Sequence, residues 1–145
     1  MATVELRFSA LPEHVRTARL VAAAVARRAG VDEAVLDEVR LAVGEACSRA
    51  VGLHQSNGIS APVRVTLIEE EKQFSIEVGD EAPRSAPGTT VPGAAPGDAD
   101  TDAEEDEMGL AVISGLVDDV EVSADEHGGL IRMSWPTTPP VTLVP

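Results

Sequence analysis

The hydrophobic period of this chain changes twice within its first eighty residues, and those changes limit the fold more than any other feature. Val4, Leu6 and Phe8 alternate with Glu5 and Arg7 between Thr3 and Ala10, the period of a half-buried strand. From Pro12 the period lengthens. Val15, Ala18, Val21 or Ala22, and Val25 recur at helical spacing, with proline suited to the first helical turn and Gly30 to the stop. Asp32 is placed to cap a second helix running to about His54, whose apolar stripe is Leu36, Val39, Val43, Cys47 and Ala50. After Ser56-Asn57-Gly58 the period returns to two. Val63, Val65 and Leu67 form one strand, Phe74, Ile76 and Val78 the next, and the turn between them spans Glu69 to Lys72. A third helical pattern covers Gly109 to Val117, and two more strands flank Glu126-His127-Gly128-Gly129: Val120 and Val122, then Ile131, Met133 and Trp135. The order β-α-α-β-β-loop-α-β-β predicts a two-layer α/β sandwich, with a mixed, mostly antiparallel sheet and its helices on one face.

The loop in that order is compositionally distinct. Residues 82–107 contain Pro83, Pro87, Pro92, Pro96 and three glycines, then end in Asp98, Asp100, Asp102, Glu104, Glu105, Asp106 and Glu107. Such a stretch reads as a mobile acidic loop or lid within a single domain of residues 1–135, and residues 136–145 read as a Pro-rich tail. The formal charge of -14 argues against nucleic acid and anionic membranes as partners, because phosphate backbones reward Lys and Arg. No apolar run approaches the roughly 18 residues that span a bilayer, and the N-terminus carries no export signal, so the expected location is cytoplasmic. Cys47 is the one cysteine, too few thiols for a disulfide framework or a zinc cage. His14, His54 and His127 are dispersed and read as surface or core packing rather than ligands. Asp98, Asp100 and Asp102 imitate the start of a calcium loop, but Ala103 stands where glycine is required and Gly109 where the closing Glu should be. No metal site is expected.

Three segments carry the chemistry, and the plainer reading of each is structural. In Val43-Gly44-Glu45-Ala46-Cys47-Ser48-Arg49, Glu45 and Arg49 share a helix face, where a surface ion pair is worth about 0.3–0.5 kcal/mol. In Val78-Gly79-Asp80-Glu81-Ala82-Pro83-Arg84, Asp80 is an ordinary turn residue after a strand. In Glu107-Met108-Gly109-Leu110, an acid precedes a helix N-terminus and stabilises it through the dipole.

In this order, and with the opening Phe8-Ser9-Ala10-Leu11-Pro12, the segments resemble the ATPase domain shared by gyrase, histidine kinases and MutL. Within that group the chain is most similar to the compact partner-switching anti-sigma factors of the RsbW type. The resemblance implies a fold over about residues 4–135, a sigma factor and an STAS-type antagonist as partners, homodimers as a common assembly, and Mg-ATP used to phosphorylate the antagonist. It also implies that Glu45 is the general base, that Asp80 reads the adenine amino group, and that Gly109 lies where a helix meets the phosphates. Its metal ligand is an Asn four residues after the Glu, and Arg49 occupies that position. A guanidinium has no lone pair to offer Mg²⁺. Arg84 stands in place of a glycine beside the adenine, and Glu107 in place of one beside the phosphates. The seven acids of the loop would repel a triphosphate.

The expectation is therefore an anti-sigma factor by descent that works by binding, a pseudokinase with a degenerate nucleotide site and no Mg-ATP cofactor. By resemblance, the arginine of the first helix that touches sigma factor and antagonist is Arg19, and Arg16 lies one turn earlier on the same face. Two alternatives stay open. One is an active serine kinase that keeps Glu45, Asp80 and Gly109. The other is a regulator that senses a metal-free nucleotide or nucleotide sugar, with Arg49 and Arg84 neutralising a diphosphate.

Overall fold

In a computed structural model, which describes residues 2–82, 110–117 and 119–137, the period changes fall where the elements change. Strand β1 is Ala2–Phe8, helix α1 Pro12–Ala29 and helix α2 Leu36–Ser56. Strands β2 (Val63–Glu69) and β3 (Gln73–Asp80) form the expected hairpin. Residues 110–116 are helical (α3), and β4 (Asp119–Asp125) turns into β5 (Gly128–Pro136). Pro12 opens α1, and Gly30 closes it in the left-handed region at φ 103°, where a side chain would be strained. Asp32 does cap, but it caps a 3-10 turn (Glu33–Val35) by accepting from Ala34 N at 3.0 Å, and α2 starts only after that turn. The acidic loop, with Arg84, Glu107, Gly109 and the calcium-like aspartates, and the tail beyond Thr137 lie outside the described residues.

The strand order is β1-β2-β3-β5-β4, and every neighbouring pair among the described residues is antiparallel. The mixed sheet expected from sequence is thus replaced by a wholly antiparallel one. The crossover through α3 does make β3 and β4 run in the same direction, but β5 sits between them and separates the parallel pair. Register puts Val65, Val78 and Ile131 in one row, Leu67, Ile76 and Met133 in the next, and Phe74 beside Trp135. These rows meet Val15, Ala18, Ala22 and Ala26 of α1 and Val39, Val43, Cys47 and Ala50 of α2 in one core. Phe74 and Trp135 stack with centroids 6.4 Å apart. The opposite sheet face is polar. Ser75 and Ser134 share a 2.9 Å hydrogen bond there, and Arg132 reaches Glu70 at 3.2 Å. No described helix is long and apolar enough to cross a membrane.

Candidate functional site

Strand β3 ends on Asp80, whose carboxylate accepts from two main-chain N–H groups. Asp80 is 3% exposed, and its Oδ1 accepts from Ala82 N at 3.0 Å and from Gly129 N at 3.2 Å. The first bond is an Asx turn; the second ties the end of β3 to the start of β5. Ala82 stands where the resembled family has glycine. It sits there without strain, since among the described residues only glycines have positive φ. Gly128 has φ 146°, and a Cβ there would collide with the Asp80 carbonyl oxygen and lie 3.0 Å from the Glu81 Cα. Both obstacles are backbone, so neither can swing aside. Asp125 closes the same turn from the other side by accepting from His127 N at 2.8 Å and Gly128 N at 3.1 Å.

His54 secures this end to α2. It is fully buried; its Nε2 accepts from Glu81 N at 2.9 Å, and Nδ1 lies 2.9 Å from the Ala61 carbonyl. Since Nε2 must accept and a carbonyl cannot donate, the ring carries its proton on Nδ1 and donates it to Ala61. One neutral imidazole thus joins the last turn of α2, the approach to β2 and the residue after Asp80.

Glu45 and Arg49 sit one turn apart on α2, both half-buried, and Arg49 Nε is out of contact with solvent. This buried nitrogen sets Arg49 apart from the exposed Arg16 and Arg19 of α1. The donor set does not suit Mg²⁺, because the position four residues after Glu45 offers only N–H donors. A cleft of about 400 Å³ next to Asp80 is lined by Arg64, Asp125, His127 and Gly128, and it includes neither Glu45 nor Arg49. Cys47, between them in sequence, faces the core. Burial pushes its thiol from 9.0 up to about 12, so it is an inert small hydrophobe.

The arginines of α1 divide into two pairs. Arg27 reaches Glu33 at 3.2 Å and Arg28 reaches Glu69 at 3.2 Å, so both hold the helix to its neighbours. Arg16 and Arg19 are exposed and form no ion pair among the described residues. Arg64 and Lys72 are likewise exposed without an ion pair among the described residues, so what marks the α1 face is that it holds two such cations one turn apart. It also carries Leu20, 58% exposed, while Leu41 of α2 is 55% exposed.

The structure brings Asp80 to one end of the sheet, Glu45 and Arg49 to mid-α2, and Arg16 with Arg19 to the outer side of α1; Arg84 and Gly109 are not among the described residues. Sequence reasoning missed the structural importance of His54 and Gly128. For His54 a signal existed: a polar residue continuing the stripe of Cys47 and Ala50 must find partners once buried. For Gly128 none did, because its close neighbour is far away in sequence.

Sandwich, element order and α2 helix together define a histidine kinase-like ATPase domain. A family model of that description matches residues 8–135, and the chain belongs to that family. Similar proteins include Serine-protein kinase RsbW of Oceanobacillus iheyensis, 27% identical over 134 residues that span 90% of this chain and 84% of that protein. Serine-protein kinase RsbW of Listeria monocytogenes is 28% identical over 135 residues, spanning 91% and 86%. The crystal structure of the RsbU and RsbW domains of Rv1364c from Mycobacterium tuberculosis has the same fold, with a TM-score of 0.66 at 15% identity. It covers all of this chain, which spans 35% of that longer one. The fold is RsbW-like.

Proposed function

We propose that this chain is a partner-switching anti-sigma factor that sequesters a sigma factor through the outer face of α1, is released by an STAS-type antagonist, and does not transfer phosphate from Mg-ATP. The observation that carries this is the division of the α1 arginines: two are held by Glu33 and Glu69, and Arg16 and Arg19 are left exposed. Two exposed cations beside exposed Leu20 suit an acidic, partly apolar partner surface. The resemblance to partner-switching anti-sigma factors of the RsbW type supports the partner class, and Arg49 at the position of that family's metal ligand argues against the phosphoryl step, which needs a metal to bridge the phosphates. Calorimetric titration of the cognate sigma factor and of the antagonist tests it. Arg19→Glu should weaken at least one of them by about 30-fold or more, the range for disrupting a desolvated charge pair. Unchanged affinity for both would remove α1 from the interface.

A second reading, an active serine kinase, is favoured by the retained Glu45 and by the names of the relatives. Radiolabel transfer from ATP to the antagonist separates the two. No Mg-dependent transfer is expected, and Arg49→Asn alone should not restore it, because Arg84, Glu107 and the acidic loop remain. Robust transfer that is abolished by Glu45→Ala would establish the kinase instead.

A further inference from the structure

Gly44 is an expensive residue where it stands. It lies in the middle of α2, needs no unusual φ, and is buried. Glycine in a helix interior lowers stability relative to alanine, and its usual justification is the close approach of a second backbone. Here the neighbour is different. The three atoms nearest to a Cβ built on Gly44 all belong to the Arg19 side chain: Cδ at 2.8 Å, Cγ at 3.4 Å and Nε at 3.4 Å. The stem of Arg19 therefore crosses from α1 and lies in the gap left by the missing side chain, while Arg19 as a whole stays exposed. Leu41, one turn earlier on α2, is exposed beside this crossing in the helical register, and Leu20 follows Arg19 in α1.

We propose that Gly44 is a positioning residue of the partner-binding face: it forms a notch in α2 that holds the Arg19 stem and presents its guanidinium, pre-ordered, to an acidic side chain of a partner protein. A long arginine normally loses much rotamer freedom when it is captured at an interface, and a stem already laid in a notch has less to lose. The notch also sits directly before Glu45, so it joins the α1 binding face to the helix of the degenerate site. This inference rests on the assignment of Arg19 to the partner face.

Gly44→Ala tests it because stability and function should move apart. A methyl in the notch would expel a flexible side chain rather than a backbone, and alanine is the better helix former. Tm should stay level or rise by about 2–4 °C. The heteronuclear NOE of the Arg19 Nε–H, high in the natural protein, should fall in the variant. Affinity for the cognate sigma factor or STAS-type antagonist should drop about tenfold, one 1.4 kcal/mol step. The double variant Gly44→Ala with Arg19→Ala should bind no worse than Arg19→Ala alone. An unchanged NOE, or full affinity in Gly44→Ala where Arg19→Ala has lost it, overturns the notch while leaving the α1 face intact. Full affinity in Arg19→Ala removes the α1 face and the notch together. If Gly44→Ala loses stability, equal loss of affinity and NOE in Ser48→Ala, also on α2 and exposed, would reduce the effect to general loosening and overturn the proposal; loss confined to Gly44→Ala would support it.

Discussion

The end of the sheet around Asp80 and the outer face of α1 treat their polar groups in opposite ways. At the first, Asp80, His54 and Asp125 are engaged with main-chain groups of their own chain, and Gly128 packs against backbone with no room for a methyl. At the second, Arg16 and Arg19 form no ion pair among the described residues and Leu20 stands in solvent. The lesson is that the motif residue most suggestive of ligand binding is also a fastening of the fold, whereas the surface with unmatched chemistry is a helix face. Substitutions at the first should damage stability, and substitutions at the second should damage binding.

The comparison breaks most visibly at Gly128. Gly128→Ala forces a side chain against the Asp80 carbonyl at a φ that L-residues avoid, and urea denaturation should show a loss of about 4 kcal/mol or more, or no soluble protein. A loss below about 1 kcal/mol would mean that β5 can retreat from β3 cheaply. Next in size is His54→Phe, which keeps the ring's bulk and removes both of its hydrogen bonds. It should cost about 1–3 kcal/mol, and faster amide exchange should be confined to residues near Glu81 and Ala61.

How much of this was legible in the chain depends on how local each signal is. Strand and helix periods are read within a few residues, so Val63, Val65 and Leu67 announced their strand and the α2 stripe announced its helix. The all-antiparallel order was not legible, because nothing near β4 reveals that β5 will insert between it and β3. Asp80 was visible as a turn residue, but its bond to Gly129 joins positions 49 residues apart. Likewise the four arginines of α1 look alike in sequence, and only the approach of Glu33 and Glu69 in the fold separates two of them from the rest.

Cys47 sharpens the contrast between the two sides of α2. Its folded thiol titrates at about 12 against 9.0 for a free one, so its contribution to stability is complete below pH 9 and is lost as the pH rises toward 12. Unfolding measurements should show a slope of up to about 1.4 kcal/mol per pH unit in that window, reduced in Cys47→Ala. Alkylation at neutral pH should proceed only as fast as the protein opens. Rapid alkylation under native conditions would contradict its burial. Smallest of all should be the stability effect of Arg16→Ala, within about 0.5 kcal/mol of the natural protein by denaturant melts, since Arg16 is exposed and holds no ion pair among the described residues. A larger loss would show that the α1 face is a fastening after all.

Affinity for the cognate sigma factor, measured by calorimetry with Mg-ATP and then with EDTA and no nucleotide, tests most directly whether this domain works by its α1 face rather than by a bound nucleotide. The expected result is the same dissociation constant in both conditions, lost in Arg19→Glu and retained in Glu45→Ala. Binding that appears only with Mg-ATP and disappears in Glu45→Ala would contradict it, and would return the chain's function to the nucleotide.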